Sequence, residues 1–239
     1  MLHAGDSVNF RCLLSSLQRG TLGEILTMAD NLDEDDDIPQ LSADTLKILQ
    51  QFYDEQSALH DQQMGNPDIM PQEDWQLSQF WYNDSTAFKL AEEAKYVAGE
   101  NGRMAFLSAP TAFKKLLEIS PSSDAVLLEY DKRFAIHGDK YIFYDYKNPL
   151  DIPRDLEKAF DIVVVDPPFL SERCLKNTAE TVKFIWKGKV ILCTGEIMEE
   201  YVKKYLGAEV CSFMPQHERN LANEFRCYTN YKTVVLEQT

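Results

Sequence analysis

The sequence predicts an α/β fold: a mostly parallel seven-stranded sheet with an antiparallel final strand and helices on both faces. Three observations carry this. Seven short apolar runs recur from residue 103 onward, and amphipathic segments of helical period separate most of them. The runs are apolar at almost every position, as strands covered on both faces are. Between the sixth and seventh runs lies only the loop 215–223, too short for a helical crossover, so the last pair must be antiparallel.

Residues 1–41 read as an N-terminal extension without a fold of its own. Arg11 and Arg19 suit a transit peptide, but Asp6 and Glu24 do not, and Met28 reads as the usual start. Asp30, Asp33, Glu34, Asp35, Asp36 and Asp37 form an acidic run of the kind that stays solvated. Residues 42–72 form a second segment. Ser42 is placed to cap a helix in which Leu46, Leu49, Phe52 and Tyr53 recur at helical spacing, up to about His60, and Gly65, Pro67 and Pro71 mark a linker.

The main domain spans 73–239. Asp84 or Ser85 caps a helix through Leu90, Ala94 and Val97 that Gly99 ends. Strands are expected at 103–108, 125–130, 141–145, 161–165, 189–193, 209–214 and 224–235. Helices are expected at 111–119, 132–137, 171–186 and 196–206, the last stopped by Gly207.

Composition excludes several classes of function. A formal charge of −15 disfavours a phosphate backbone as partner, so no nucleic acid is expected and a basic protein suits the chain better. No apolar stretch is long enough for a membrane span. Cys12, Cys174, Cys193, Cys211 and Cys227 are odd in number and lack Cys-x-x-Cys spacing, which points to free thiols in a reducing compartment and a cytoplasmic location. His3, His60, His137 and His217 show no ligand spacing, so no metal is expected.

The fourth strand ends in Asp166-Pro167-Pro168-Phe169. Each proline holds the residue before it in extended geometry and removes a donor, so pairing stops and the carbonyls of Asp166 and Pro167 are left to accept a ligand's hydrogen bonds. An acid and an aromatic ring beyond the carboxyl end of a central strand sit where open α/β sheets bind ligands. Such a turn can grip an amine. At the end of the second strand, Glu129 or Asp131 can accept both hydroxyls of a ribose, and Asp145 after the third can accept from an adenine amino group, with Tyr144 or Tyr146 against the ring.

Six ordered motifs sharpen the reading: Gln76–Tyr82, Glu129–Phe134, Phe143–Tyr146, Asp166–Phe169, Cys193–Gly195 and Asn220–Tyr228. With the strand order they resemble the Rossmann-like class I S-adenosylmethionine-dependent methyltransferases. More closely, they resemble the eukaryotic elongation factor 1-alpha lysine methyltransferase 1 family, first labelled adenine-N6 DNA methyltransferases for the acidic proline-rich turn.

The resemblance covers residues 28 to about 235. It implies a protein-lysine N-methyltransferase with S-adenosyl-L-methionine as cofactor and elongation factor 1-alpha as substrate; transfer to an adenine amino group, or a scaffold without catalysis, are the alternatives. It favours Glu129 over Asp131 for the ribose, with Asp131 in reserve. Gln79, Phe80 and Trp81 would close over the methionine end, unless Phe80, Trp81 and Tyr82 are simply core aromatics. Ser108 stands where many methyltransferases carry a glycine-rich loop, a tolerable departure because this cofactor has no phosphates to cradle.

A lysine of pKa about 10.4 is neutral in roughly one molecule in 2,500 at pH 7, a cost of about 4.6 kcal/mol, so the site must help it shed a proton. Asp166, the Pro167 carbonyl and Phe169 are the candidates for that work, Asp166 orienting the amine rather than acting as an established base. Asn220, Asn223 and Glu224, with His217 and Arg219, form the candidate substrate-contact surface.

Overall fold

The computed structural model describes residues 70–237 except 220 and 222, together with Lys47 and Gln51. The extension 1–41, the helix expected from Ser42, most of the 42–72 segment and Asn220 lie outside the described residues. The chain divides into two compact units, Met1–Tyr53 and Asp54–Thr239. Lys47 and Gln51, both helical, belong to the first. The second holds the sheet.

Its strands are β1 (Met104–Leu107), β2 (Ala125–Glu129), β3 (Tyr141–Phe143), β4 (Ile162–Val165), β5 (Val190–Gly195), β6 (Glu209–Val210) and β7 (Phe225–Thr229). They form one sheet in the order β3-β2-β1-β4-β5-β7-β6. β1 to β5 pair in parallel, and β7 runs antiparallel to both β5 and β6. This is the expected Rossmann-like class I methyltransferase sheet. The order of its last two strands is not a matter of sequence: β7 inserts between β5 and β6, leaving β6 at the edge.

Helices α1 (Asp84–Ala98) and α2 (Pro110–Ile119) cover one face, and α3 (Glu172–Ile185) and α4 (Glu199–Leu206) the other. Alternation along β4 shows how a continuous apolar run serves both. Ile162 and Val164 join the core under α1 and α2, while Val163 and Val165 join the core under α3 and α4.

The cap of α1 is Asn83, one residue before the expected Asp84; its Oδ1 accepts from Thr86 N at 2.9 Å. Gly99 ends the helix at φ 76°. The short helix expected at 132–137 is a 3-10 segment, Lys132–Lys140, kinked at Gly138. The one expected at 196–206 splits into a 3-10 turn, Glu196–Met198, and α4.

Several expected strands are shorter in the structure, β3 among them at Tyr141–Phe143, and the last two by the most. β6 ends at Val210: Cys211 N still donates to the Cys227 carbonyl, but Pro215, which carries no donor, follows close behind. β7 ends at Thr229 because the Asn230 side chain takes over the pairing, accepting from Val190 N and donating to Gly188 O. The chain then crosses to α1. There the fully buried Glu93 carboxylate accepts from the amides of Val234, Val235 and Leu236 at 3.2, 2.6 and 3.2 Å.

Candidate active site

The carboxyl ends of β1, β2 and β4 open into a cavity of about 550 Å³. Ser108, Glu129, Asp145, Tyr146, Asp166, Pro167 and Phe169 line it, as do Gln79, Phe80 and Trp81 from the segment before α1 and Asn223 from the β6–β7 loop. With Tyr144 and His217, which also line it, the topology brings thirteen of the candidate residues to one place. Asp131 and Glu224 are not on its wall.

Why Asp131 is elsewhere is visible in its partners. Its carboxylate accepts from the Gln79 amide at 2.8 Å and from Arg133 Nη2 at 2.6 Å and Nε at 2.9 and 3.0 Å. Burial alone would raise its pKa, but the Arg133 and Gln79 hydrogen bonds hold it below the ordinary value. Arg133 also donates to Gln79 Oε1 and to the Gln72 carbonyl, so this cluster ties the segment before α1 to the end of β2.

Glu129 is arranged otherwise. Its Oε1 accepts from the amides of Tyr130 and Asp131 at 2.8 and 3.1 Å, while Oε2 has no hydrogen-bond partner among the described residues. Burial is the main cause that lifts its carboxyl to a pKa of about 7, the Asp131 amide resisting. A buried carboxylate with one oxygen aligned by backbone and the other free suits paired hydroxyls. Tyr130, next in the chain, presents a half-exposed ring to the same cavity.

Ser108, just after β1, adopts φ 53°, a left-handed conformation that glycine takes without cost. Pro110 then begins α2, whose cap position, Ala109, contributes no side-chain hydrogen bond. The backbone turns tightly here with serine doing a glycine's work.

At the end of β4, Asp166 N donates to Leu107 O at 3.0 Å, and the two prolines stop the pairing. Ser171 caps α3 and closes the turn by donating to Phe169 O. Phe169, 40% exposed, packs its ring 5.6 Å from that of Tyr146 at the cavity mouth. Tyr144 is the buried partner, its hydroxyl 3.0 Å from Thr181 Oγ1. Gly195, ending β5, lies close to Leu170: a Cβ there would stand 3.0 Å from the leucine's terminal methyl groups, which would have to give slightly. Burial pushes the Asp166 carboxyl up to about 8; the Tyr82 hydroxyl lowers it and the charge of Glu129 raises it.

Of the three aromatics in Phe80-Trp81-Tyr82, Trp81 is anchored by Nε1 to the Pro71 carbonyl and by an edge contact to Phe134. Phe80 is only half-buried on the cavity wall. Tyr82 is almost fully buried and forms an antiparallel bridge with His217. His217 also lines the cavity, its ring tilted against that of Tyr82 at 4.8 Å and edge-on to Phe225 at 4.7 Å, and burial drives its pKa down to about 4. This pairing joins residues 135 positions apart, so no local pattern announces it. Tyr130 was legible as a ring directly following Glu129. Among the described residues no group of three metal-ligating side chains is assembled, and no helix is long and apolar enough to cross a membrane.

Comparison with known proteins agrees with this layout. Residues 73–233 match the family model described as "Probable N6-adenine methyltransferase". The chain is 55% identical over 206 residues to EEF1A lysine methyltransferase 1 of Gallus gallus, covering 83% of this chain and 97% of that one. The Homo sapiens protein of that name is 53% identical over 206 residues, covering 83% and 94%. Protein-lysine N-methyltransferase EFM5 of Saccharomyces cerevisiae is 39% identical over 180 residues, covering 67% and 73%.

Proposed function

Since this chain belongs to the EEF1A lysine methyltransferase 1 family, we propose that its cavity carries methyl transfer from S-adenosyl-L-methionine to a lysine side chain of elongation factor 1-alpha, in the cytoplasm. The observation that carries the reading is the placement of the Asp166-Pro167-Pro168-Phe169 turn in one cavity with Glu129 and Asp145. The odd, unpatterned cysteines support the compartment.

The residues present fit the cofactor. The free Oε2 of Glu129 suits the ribose hydroxyls, Asp145 the adenine amino group, and the ring of Phe80 the sulfonium. Asp131 acts behind them by holding Gln79 through Arg133. When bound, S-adenosyl-L-methionine supplies an electrophilic methyl group. The chain's own task is to deliver a neutral amine to it.

Asp166 and the Pro167 carbonyl accept the acceptor nitrogen's hydrogens, which aims its lone pair, and the Phe169 face accommodates the amine and its cationic methylated products. A carboxyl of pKa about 8 is a far better proton acceptor than an ordinary aspartate, so the proton shed by the ammonium has a place to go, to Asp166 and then to solvent. The Asn223 side chain at the rim and the exposed Glu224 beyond it are where a folded protein substrate would meet the loop.

The test is incubation of the full chain with methyl-labelled S-adenosyl-L-methionine and, separately, elongation factor 1-alpha, total cell protein, DNA and RNA. Label on a lysine of the elongation factor supports the reading. Label in nucleic acid overturns it in favour of adenine transfer, which the family model's description names. Asp166→Ala should abolish transfer and leave cofactor affinity unchanged.

A further inference from the structure

Three tyrosines are among the buried hydroxyls without a hydrogen-bond partner in the described residues: Tyr82, Tyr228 and Tyr231. Of these, Tyr82 is the one on which Asp166 acts. A buried, unsatisfied hydroxyl is destabilising, and a phenylalanine would fill the same space without that cost. Its presence beside the acid of the amine-binding turn calls for a functional reason.

The surroundings leave the ring no freedom. Its backbone is bridged to His217, Trp81 O accepts from Glu218 N at 2.9 Å, and Asn83 N donates to Gln216 O at 3.0 Å. The ring lies against His217 on one side, and His217 is itself braced by Phe225. Asn83 caps α1, so the residue after Tyr82 is fixed as well. The ring is therefore held by these contacts in the core that it shares with Val164 of β4 and Cys193 of β5, at the end of the sheet where Asp166 follows β4.

We propose that Tyr82 is a positioning residue for Asp166: its hydroxyl donates a hydrogen bond to the Asp166 carboxyl whenever that group is ionised, fixing which oxygen faces the acceptor nitrogen. The bond is open in this structure and closes on the ionised carboxyl, with or without the amine, as catalytic hydrogen bonds commonly tighten from a resting geometry. It moves no proton.

The groups facing this pair are few. Glu129 on β2 acts on Asp166, and Cys193 on β5 acts on Tyr82, with Cys227 directly across from Cys193 on β7. His217 faces the ring and, with its lowered pKa, is neutral at pH 7. Burial and both neighbours, Asp166 before Cys193, keep Tyr82 protonated. It is a donor throughout the working range.

The inference rests on the lysine-transfer reading for its role, and one of its tests does not. In Tyr82→Phe the ring and its packing remain, so the melting temperature should be unchanged or higher. In the transfer assay kcat should fall about 10- to 100-fold with the KM for S-adenosyl-L-methionine unchanged. The acid limb of the kcat/KM profile should move to higher pH by about one unit, because a hydrogen bond that favours the ionised carboxyl is gone.

Independently of turnover, the carboxyl titration of Asp166 is read by NMR on carbon-13 aspartate-labelled protein, assigned by the signal that Asp166→Asn removes. Tyr82→Phe should shift this titration upward. A titration and a pH profile that do not move, or a loss of rate matched by a loss of melting temperature, would overturn the proposal. If the parent protein labels no lysine, the functional reading fails and the NMR titration still decides whether Tyr82 governs Asp166.

Discussion

Glu129 ends β2 and Asp166 directly follows β4, the two strands that flank β1, and the charge of Glu129 pushes the Asp166 carboxyl further toward its protonated form. Burial is the larger cause in both, lifting them to about 7 and about 8 from 4.5 and 3.8. A folded state that keeps protons the unfolded chain has shed loses stability as pH rises between those limits. As far as these two groups are concerned, stability is full below about pH 4 and is lost as pH rises through about 8. Denaturant midpoints should fall from pH 5 to pH 9. The fall should be smaller in Asp166→Asn, which should be more stable than the parent at pH 8 by roughly 1–2 kcal/mol while transferring no methyl. A flat or rising midpoint in the parent would show that the site's carboxyls are ionised throughout.

Glu129→Gln keeps the shape of the side chain but removes the charge that paired hydroxyls would bind. S-adenosyl-L-methionine affinity by calorimetry should fall about 10- to 100-fold, the worth of a hydrogen bond to a charged group. Unaltered affinity would place the ribose elsewhere.

Arg133→Ala removes the cation that holds Asp131, Gln79 and the Gln72 carbonyl together. Amide exchange in residues 72–81 should quicken, and cofactor affinity should weaken although Arg133 does not line the cavity. Protection equal to the parent's would mean the segment is held from its other side alone.

Much of this was legible beforehand and some was not, for identifiable reasons. Strand positions followed from apolar runs buried on both faces, and Gly99 and Gly207 marked helix ends because they supply positive φ. The Asp166-Pro167-Pro168-Phe169 turn was readable because proline acts through covalent geometry, which needs no neighbours. The insertion of β7 was not readable, since an antiparallel strand satisfies the same local pattern at either edge. Asp131 looked equivalent to Glu129 because spacing along a strand end does not reveal that Arg133, two residues on, claims one acid and leaves the other. Tyr82 looked like a core aromatic and is one by burial. What its hydroxyl faces depends on partners far away in the chain.

Ser108 offers a test of backbone strain at the cofactor edge. Ser108→Gly should stabilise the fold by up to about 1 kcal/mol, whereas Ser108→Val should destabilise it by more than about 1 kcal/mol, since a branched side chain tolerates φ 53° poorly. Thermal denaturation of the pair settles it. Equal melting temperatures would mean the loop relaxes to negative φ.

Glu93→Ala should cost about 2–4 kcal/mol in chemical denaturation, because three amides of residues 234–236 lose a buried charged acceptor at once. A loss below about 1 kcal/mol would show that the terminal segment finds other partners.

The Tyr82–His217 bridge also decides how the mouth of the cavity can move. Glu73 extends the same seam: one oxygen accepts from Trp81 N at 2.8 Å and the other pairs with Arg219 at 3.4 Å. Residues 73–82 and the β6–β7 loop are therefore tied along one seam rather than standing as two separate flaps. A force applied at either rim is felt at both, so changes made on the substrate side are expected to register in cofactor residence time, and the reverse.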